Sequence, residues 1–222
     1  MSFARKAEDL IAKLPLVRGR YTPFAPIGET SWFRTGGVAE VLYKPADKED
    51  LLTFLAACPE DVPITVLGVC SNIIIRDGGI PGVVIKMGRG FTDVEREDSH
   101  TLYAGAACLD LNLALNAQNF GIGGLEFFSG IPGTIGGALR MNAGAYGDET
   151  ADCLIEAEVV TGRGEIKRVS VDELGYSYRH CSAPADCVFT RGFFRTREGA
   201  REAESRIVAE KERLVAEVRS EL

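Results

Sequence analysis

Histidine is nearly absent from this chain. His100 and His180 are the only two in 222 residues, so a histidine-rich metal site has too few ligands to be built. Each reads as a surface or loop residue. Six cysteines stand at 58, 70, 108, 153, 181 and 187, yet no two form a C-x-x-C pair. This argues against a zinc knuckle or a thioredoxin-type site, and free thiols in a reducing compartment are expected. No apolar run approaches the ~20 residues that cross a bilayer. The opening MSFARKAEDLIAKLP mixes both charge signs too early for a signal peptide, so a cytoplasmic location is expected. Basic charge is also in deficit. The net charge is −7 and the isoelectric point near 5.0, which argues against a sequence-independent grip on nucleic acid but leaves room for local basic pockets.

What is present is a chain long enough for one large domain or two small lobes. Residues 3 to 14 place Phe3, Ala7, Leu10, Ile11 and Leu14 at helical spacing. A Pro-rich connector, TPFAPIGETSWFRTGG, leads to the strand-like AEVLYKP. Asp47 reads as the N-cap of a helix through Leu51, Leu52 and Leu55 that Pro59 terminates. Three short strands are then expected at PITVLG, IIIRD and GVVIKM. They complete a β-α-β lobe over residues 1–90.

A second lobe is expected over 91–199. It opens with a strand pair in FTDVEREDSHTLYAGA, followed by a helix capped by Asp110 and closed at Gly121. Gly121 to Gly147 holds nine glycines in 27 residues, backbone shaped for close approach to something. IEAEVVTGRGEIKRVS reads as a hairpin, VDELGYSYRHCSAP as a loop, and CVFTRGFFRT as a last strand. Residues 200–222 carry the pattern of a long amphipathic linker helix. No internal repeat or low-complexity segment is found.

Two stretches carry chemistry. The loop Gly68-Val69-Cys70-Ser71-Asn72 lacks the Gly-Lys-Ser/Thr of a P-loop, and with a strand expected after it and no G-x-G-x-x-G it is no dinucleotide fingerprint either. Read alone it is a structural turn or an anion-binding nest of successive amides, with Ser71 and Asn72 adding donors. The second stretch, GLEFFSGIPGTIGGALRMNAGAYG, sets Gly130-x-x-Gly133 and Gly136-Gly137 around Thr134 with only short polar side chains. It is either a tight core loop or a wrap for a flat ring and a pyrophosphate, with the start of a short helix assisting.

With TSWFRTGG and YSYRHC in the same order and spacing, these motifs resemble the UDP-N-acetylenolpyruvoylglucosamine reductases from about Arg18 to about Arg213. The resemblance implies an α+β, FAD-binding fold of the vanillyl-alcohol oxidase/PCMH type, in which two α+β lobes clasp the flavin. It implies FAD as cofactor and NADPH as reductant, with a UDP-sugar enolpyruvyl ether as the small-molecule substrate. No nucleic acid or membrane partner is implied, and oligomeric state is not legible. Cofactor binding falls to Arg34, Thr35 and Gly36; to Gly68, Val69, Cys70, Ser71 and Asn72; to Gly130, Ile131, Pro132, Gly133, Thr134, Gly136, Gly137 and Ala138; and to Asn142, Ala143 and Gly144. Cys70 departs from the pattern, because similar enzymes usually carry glycine there.

Arg179 matches the arginine that polarises the substrate carboxylate, with Tyr178 beside it. The family's proton-donating serine, in a G-S-x-F-K-N-P-like segment, and its assisting glutamate belong to a third, substrate-binding domain of about a hundred residues. Neither has a counterpart in this sequence. The expectation is the flavin module of a reductase, as a fragment, a truncated product or one part of a split enzyme, with weak or no activity alone. A non-catalytic flavin carrier and another flavin oxidoreductase are the competing readings.

Overall fold

Two sheets of different character are set side by side in the computed structural model, which describes residues 3–198. Helix α1 (Phe3–Ile11) precedes the first sheet, which contains β1 (Arg20–Ala25), β2 (Ala39–Lys44), β3 (Ile64–Val66) and β4 (Ile80–Ile85) in the order β1-β2-β4-β3. β1 runs antiparallel to β2, and β2, β4 and β3 are mutually parallel. Helix α2 (Lys48–Ala57) is the crossover between β2 and β3. Its N-cap is Asp47, whose side chain accepts from the Asp50 amide, as the sequence implies.

The central strands are apolar on both faces. Val41, Tyr43, Val83 and Ile85 pack beneath α1 and α2 with Phe54, while Ala39, Leu42, Val84 and Ile75 fill a separate core on the other face. A parallel strand covered on both sides needs this unbroken apolar run, which is why GVVIKM reads so clearly.

The second sheet is wholly antiparallel. β5 (Val94–Arg96), β6 (Thr101–Gly105), β10 (Leu154–Val160), β11 (Ile166–Ser170) and β12 (Val188–Arg195) lie in the order β11-β10-β12-β6-β5. The numbers between belong to α3 (Asp110–Asn119), β7 (Ile122–Gly123), α4 (Ile135–Met141), β8 (Gly144–Ala145), β9 (Asp148–Glu149) and α5 (Thr150–Cys153). After β11 come α6 (Val171–Leu174) and, after β12, β13 (Arg197–Glu198), which pairs with β7. Helices α3 and α4 bury Leu113, Ala117, Ile135 and Leu139 against this sheet in a core that includes Phe128 and Phe194. All six cysteines are free.

Four local expectations are corrected. Part of the Pro-rich connector is strand β1, tolerated because Pro23 sits on an edge strand, where a missing N–H breaks no central ladder. Ile73-Ile74-Ile75 forms no strand. The Gly37 amide donates to the Arg76 carbonyl at 3.0 Å, and Ile75 packs into the core while Ile74 is exposed, so tertiary packing overrides three β-branched propensities. Asp110 does not cap α3. Leu109 holds that position and Asp110 is the first helical residue, with its carboxyl turned inward. The stretch after β11 is not all loop, because Ser170 and Glu173 form a reciprocal capping box that starts α6. The expected helix over 200–222 lies outside the described residues.

Candidate cofactor cleft

The loop 68–72 leaves the first sheet where β3 ends, and the Leu67 amide makes the last sheet-like bond, to Ile85 at 2.9 Å. Cys70 adopts φ +60, the left-handed region that glycine enters freely and an L side chain resists. Its thiol is buried and turns back toward the Gly68 carbonyl at 3.7 Å. The Trp32 amide, donating to the Cys70 carbonyl at 3.1 Å, pins the loop from behind.

The second segment is laid down antiparallel to residues 106–110. Leu109 bridges Thr134, and the amides of Asp110, Ile135 and Gly136 donate to the carbonyls of Gly133, Cys108 and Ala106 at 3.2, 3.0 and 2.8 Å. The glycines then sort by purpose. A β-carbon on Gly130 would collide with the Tyr146 ring, and one on Gly136 would stand 3.1 Å from Ala106, so both serve packing. A β-carbon on Gly137 would meet only the Thr134 hydroxyl, at 3.9 Å. That bare face borders open space.

The two segments meet. Gly68 faces Thr134 so closely that a β-carbon would strike its hydroxyl, and the Asn72 amide reaches the Met141 sulfur at 3.6 Å. Between them lies a cleft of about 1160 Å³. Gly68 through Asn72, Gly130 through Thr134, Gly136 through Ala138, Ala143, Gly144 and Arg179 all line it. Lys86, Arg140, Arg163 and Arg179 set four cations around it against Glu60 and Asp186, with a third carboxyl, Asp110, buried in the wall, a locally basic pocket in an acidic protein. Backbone approach on two sides, open space over Gly137 and surplus positive charge fit an elongated dinucleotide carrying a diphosphate.

Five of the expected site residues are not brought to the cleft wall. Arg34, Thr35 and Gly36 form a turn behind the 68–76 segment. Gly36 is at φ +109, where a β-carbon would strike the Ile75 carbonyl. Asn142 is the left-handed C-cap of α4. Its side chain donates to the Ser177 carbonyl at 3.3 Å and accepts from the Ala151 amide at 2.9 Å, which spends it on scaffolding. Tyr178 is 85% exposed. It shares with Arg179 the tip of a turn closed by reciprocal Ser177 and His180 backbone bonds, and the Arg179 guanidinium lies 5.7 Å from the Tyr178 ring centre.

Two wall residues stand outside the expected site set. Arg140, on α4, donates to the carbonyls of Ala183, Pro184 and Cys187, holding that loop against the cleft. Asp110 is fully buried, neither carboxyl oxygen has a hydrogen-bond partner, and burial pushes its pKa up to about 8. The nearby Gly133 amide favours the ionised form without reaching hydrogen-bonding geometry, and offsets burial only in part. A polar residue opening the α3 pattern is the one sequence signal that points to Asp110. Among the described residues, no helix is long and apolar enough to cross a membrane.

The FAD binding domain family model matches residues 39–170. UDP-N-acetylenolpyruvoylglucosamine reductase of Azorhizobium caulinodans is 49% identical over 207 residues, covering 93% of this chain and 66% of the relative. That of Rhizorhabdus wittichii is 46% identical, covering 98% of this chain and 70% of the relative. The chain thus spans about two thirds of the length of such relatives. Among solved structures, UDP-N-acetylenolpyruvylglucosamine reductase from Thermus caldophilus superposes with a TM-score of 0.75 at 30% identity, over 90% of this chain and 70% of that one. Physcomitrella patens BBE-like 1 shares the fold alone, with a TM-score of 0.59 at 19% identity over 86% of this chain and 44% of that one. The fold is α+β, of the FAD-binding, vanillyl-alcohol oxidase type, and the chain belongs to the FAD-binding domain family and, within it, to the UDP-N-acetylenolpyruvoylglucosamine reductases.

Proposed function

We propose that this chain is the flavin-carrying part of a cytoplasmic reductase that converts the enolpyruvyl ether of UDP-N-acetylglucosamine to UDP-N-acetylmuramate for peptidoglycan, with NADPH as reductant. The observation that carries the reading is the convergence of 68–72 and 130–138 on one basic cleft. Residues 1–90 and 91–199 are the two lobes in this proposal, each contributing one of those segments. Bound FAD would supply hydride transfer from NADPH to the enolpyruvyl carbon β to the carboxylate.

The chain's own residues have three tasks. Gly68 to Asn72 offer backbone amides to the diphosphate, as do Gly133 and Thr134, with Ser71 as an added donor. Gly137 leaves its bare face for close approach. Arg179, on the cleft wall, presents a permanent charge and a planar fork to the substrate carboxylate, where negative charge grows during reduction. Tyr178 beside it is the candidate for a contact with substrate or nicotinamide from the exposed side of the same turn.

The family's proton-donating serine and assisting glutamate have no counterpart in these 222 residues. A second reading is a flavin-binding module without turnover, which the same cleft would serve. An absorbance spectrum of the purified chain, as isolated and after added FAD, tests the shared core of both. Flavin bands that persist through gel filtration are expected, and a colourless protein that takes up no FAD would sink both. Coupled NADPH oxidation with the enolpyruvyl ether then separates them. Very slow turnover is expected from this chain alone, and a normal rate would show that the proton donor lies elsewhere in the sequence.

A further inference from the structure

Asp110 is the one buried side chain among the described residues whose polar atoms find no hydrogen-bond partner in the protein, and it stands in the cleft wall. It is fully buried as the first residue of α3, and both carboxyl oxygens lack a hydrogen-bond partner, the only such buried side-chain atoms among the described residues. Buried polar groups in folded proteins are nearly always paired, since an unpaired one costs on the order of 1–3 kcal/mol. No Lys or Arg forms an ion pair with it among the described residues. A ligand atom that hydrogen-bonded to it would offset that cost. The direction it faces is set by Gly133, where a β-carbon would stand 2.6 Å from Oδ2. Only the absence of a side chain there leaves the carboxyl room beside the glycine turn that borders the cleft.

We infer that Asp110 is a ligand-contacting residue of this cleft, whose carboxyl donates a hydrogen bond to a phosphate oxygen of the bound dinucleotide. This rests on the flavin reading above and adds a contact to it. An ionised carboxylate would repel a diphosphate, whereas the protonated acid supplies an O–H donor without adding a charge. Burial favours that neutral form at pH 7. A donor matched to the phosphate only while protonated makes affinity fall as the proton is lost.

Other titratable or charged groups border the same space. Cys108, adjoining Asp110, has its thiol pushed up to about 11 by burial, and burial also raises Cys70. Lys86, Arg140, Arg163, Arg179, Glu60 and Asp186 line the cleft as well. The substitution D110N separates Asp110 from all of them, because it keeps a donor of the same shape and removes only the titration.

The test is fluorescence titration of FAD from pH 6 to 9.5, joined to phosphorus NMR of the saturated complex. In the unmodified chain the dissociation constant is expected to stay level to about pH 7.5 and then to rise about tenfold per pH unit above 8. In D110N it stays level throughout, within about threefold of the low-pH value of the unmodified chain. One diphosphate resonance should titrate with a midpoint above 8 in the unmodified complex and not in D110N. A level profile in the unmodified chain, the same rise in D110N, or a diphosphate signal indifferent to pH would each overturn the assignment. Failure to take up FAD at any pH would remove the cofactor reading itself. Uptake without the pH dependence removes only the role of Asp110.

Discussion

Gly68 and Thr134 come from distant segments and abut at the wall of the cleft, with no room between them for a β-carbon on the glycine. The spacing of the two amide-bearing segments therefore depends on a missing side chain.

Gly68→Ala is expected to force the Thr134 hydroxyl aside and weaken FAD binding about tenfold, near 1.4 kcal/mol. Adding Thr134→Ala removes the colliding oxygen and should recover part of that loss. Fluorescence titration checks both variants, with circular dichroism to confirm that each is folded. Equal affinity in Gly68→Ala and the parent would mean that loop spacing does not govern uptake.

Cys70 sits at φ +60, a conformation that costs an L residue roughly 1–2 kcal/mol. Cys70→Gly removes that strain but loosens the unfolded chain, so a net gain of about 0.5–1 kcal/mol is expected in urea unfolding. FAD should bind more tightly as well, because the buried thiol no longer fills the turn. A destabilised variant would show that the thiol's packing outweighs the backbone strain.

Lys48 on α2 reaches Glu158 on β10, with Nζ 3.1 Å from Oε2, while Thr190 donates to Oε1 at 2.8 Å. This bond ties the two sheets' layers, and Glu158 is only 8% exposed. Lys48→Met leaves a nearly buried carboxylate without its cation and should cost about 2 kcal/mol, judged from the larger losses at fully buried pairs. Combining it with Glu158→Gln should restore most of that stability. The double-mutant cycle is read by thermal denaturation, and additive losses would mean the pair is not coupled.

Asp50 is expected to contribute to the acid limit. Burial acts to raise its pKa, but the amides of Ala46, Arg18 and Gly19 and the Tyr43 hydroxyl outweigh it and hold the carboxyl below the usual range. A folded value below the unfolded one adds stability that is present above about pH 4 and lost as pH falls through the folded value. Asp50→Asn should cost about 2 kcal/mol at pH 7 and flatten the loss of stability between pH 4 and 2. An unchanged acid limb in the variant would assign acid unfolding to other carboxylates.

Much of this was legible because it is local. β2, β4 and the β10–β11 hairpin announce themselves by apolar runs and turn glycines, and Asp47 is a cap by chemistry alone. The glycine density after Gly121 marks backbone used for close approach, whatever the partner. Other features were not legible because their partners lie far along the chain. Ile73 to Ile75 were misread as a strand and pack without a ladder, and nothing local shows that Gly36 backs onto Ile75 or that Asn142 caps α4.

The amino-acid sequence by itself determined which segments bend tightly, which are covered on both faces and which family the order of motifs belongs to, since each follows from residue type and spacing. Only the tertiary structure decided that the glycine of one loop abuts the threonine of the other, and that Asp110 lies buried and unpaired beside them. Those depend on long-range packing, which a one-dimensional pattern does not carry: hydrogen-bond partners and buried charge are properties of what surrounds a residue, not of the residue.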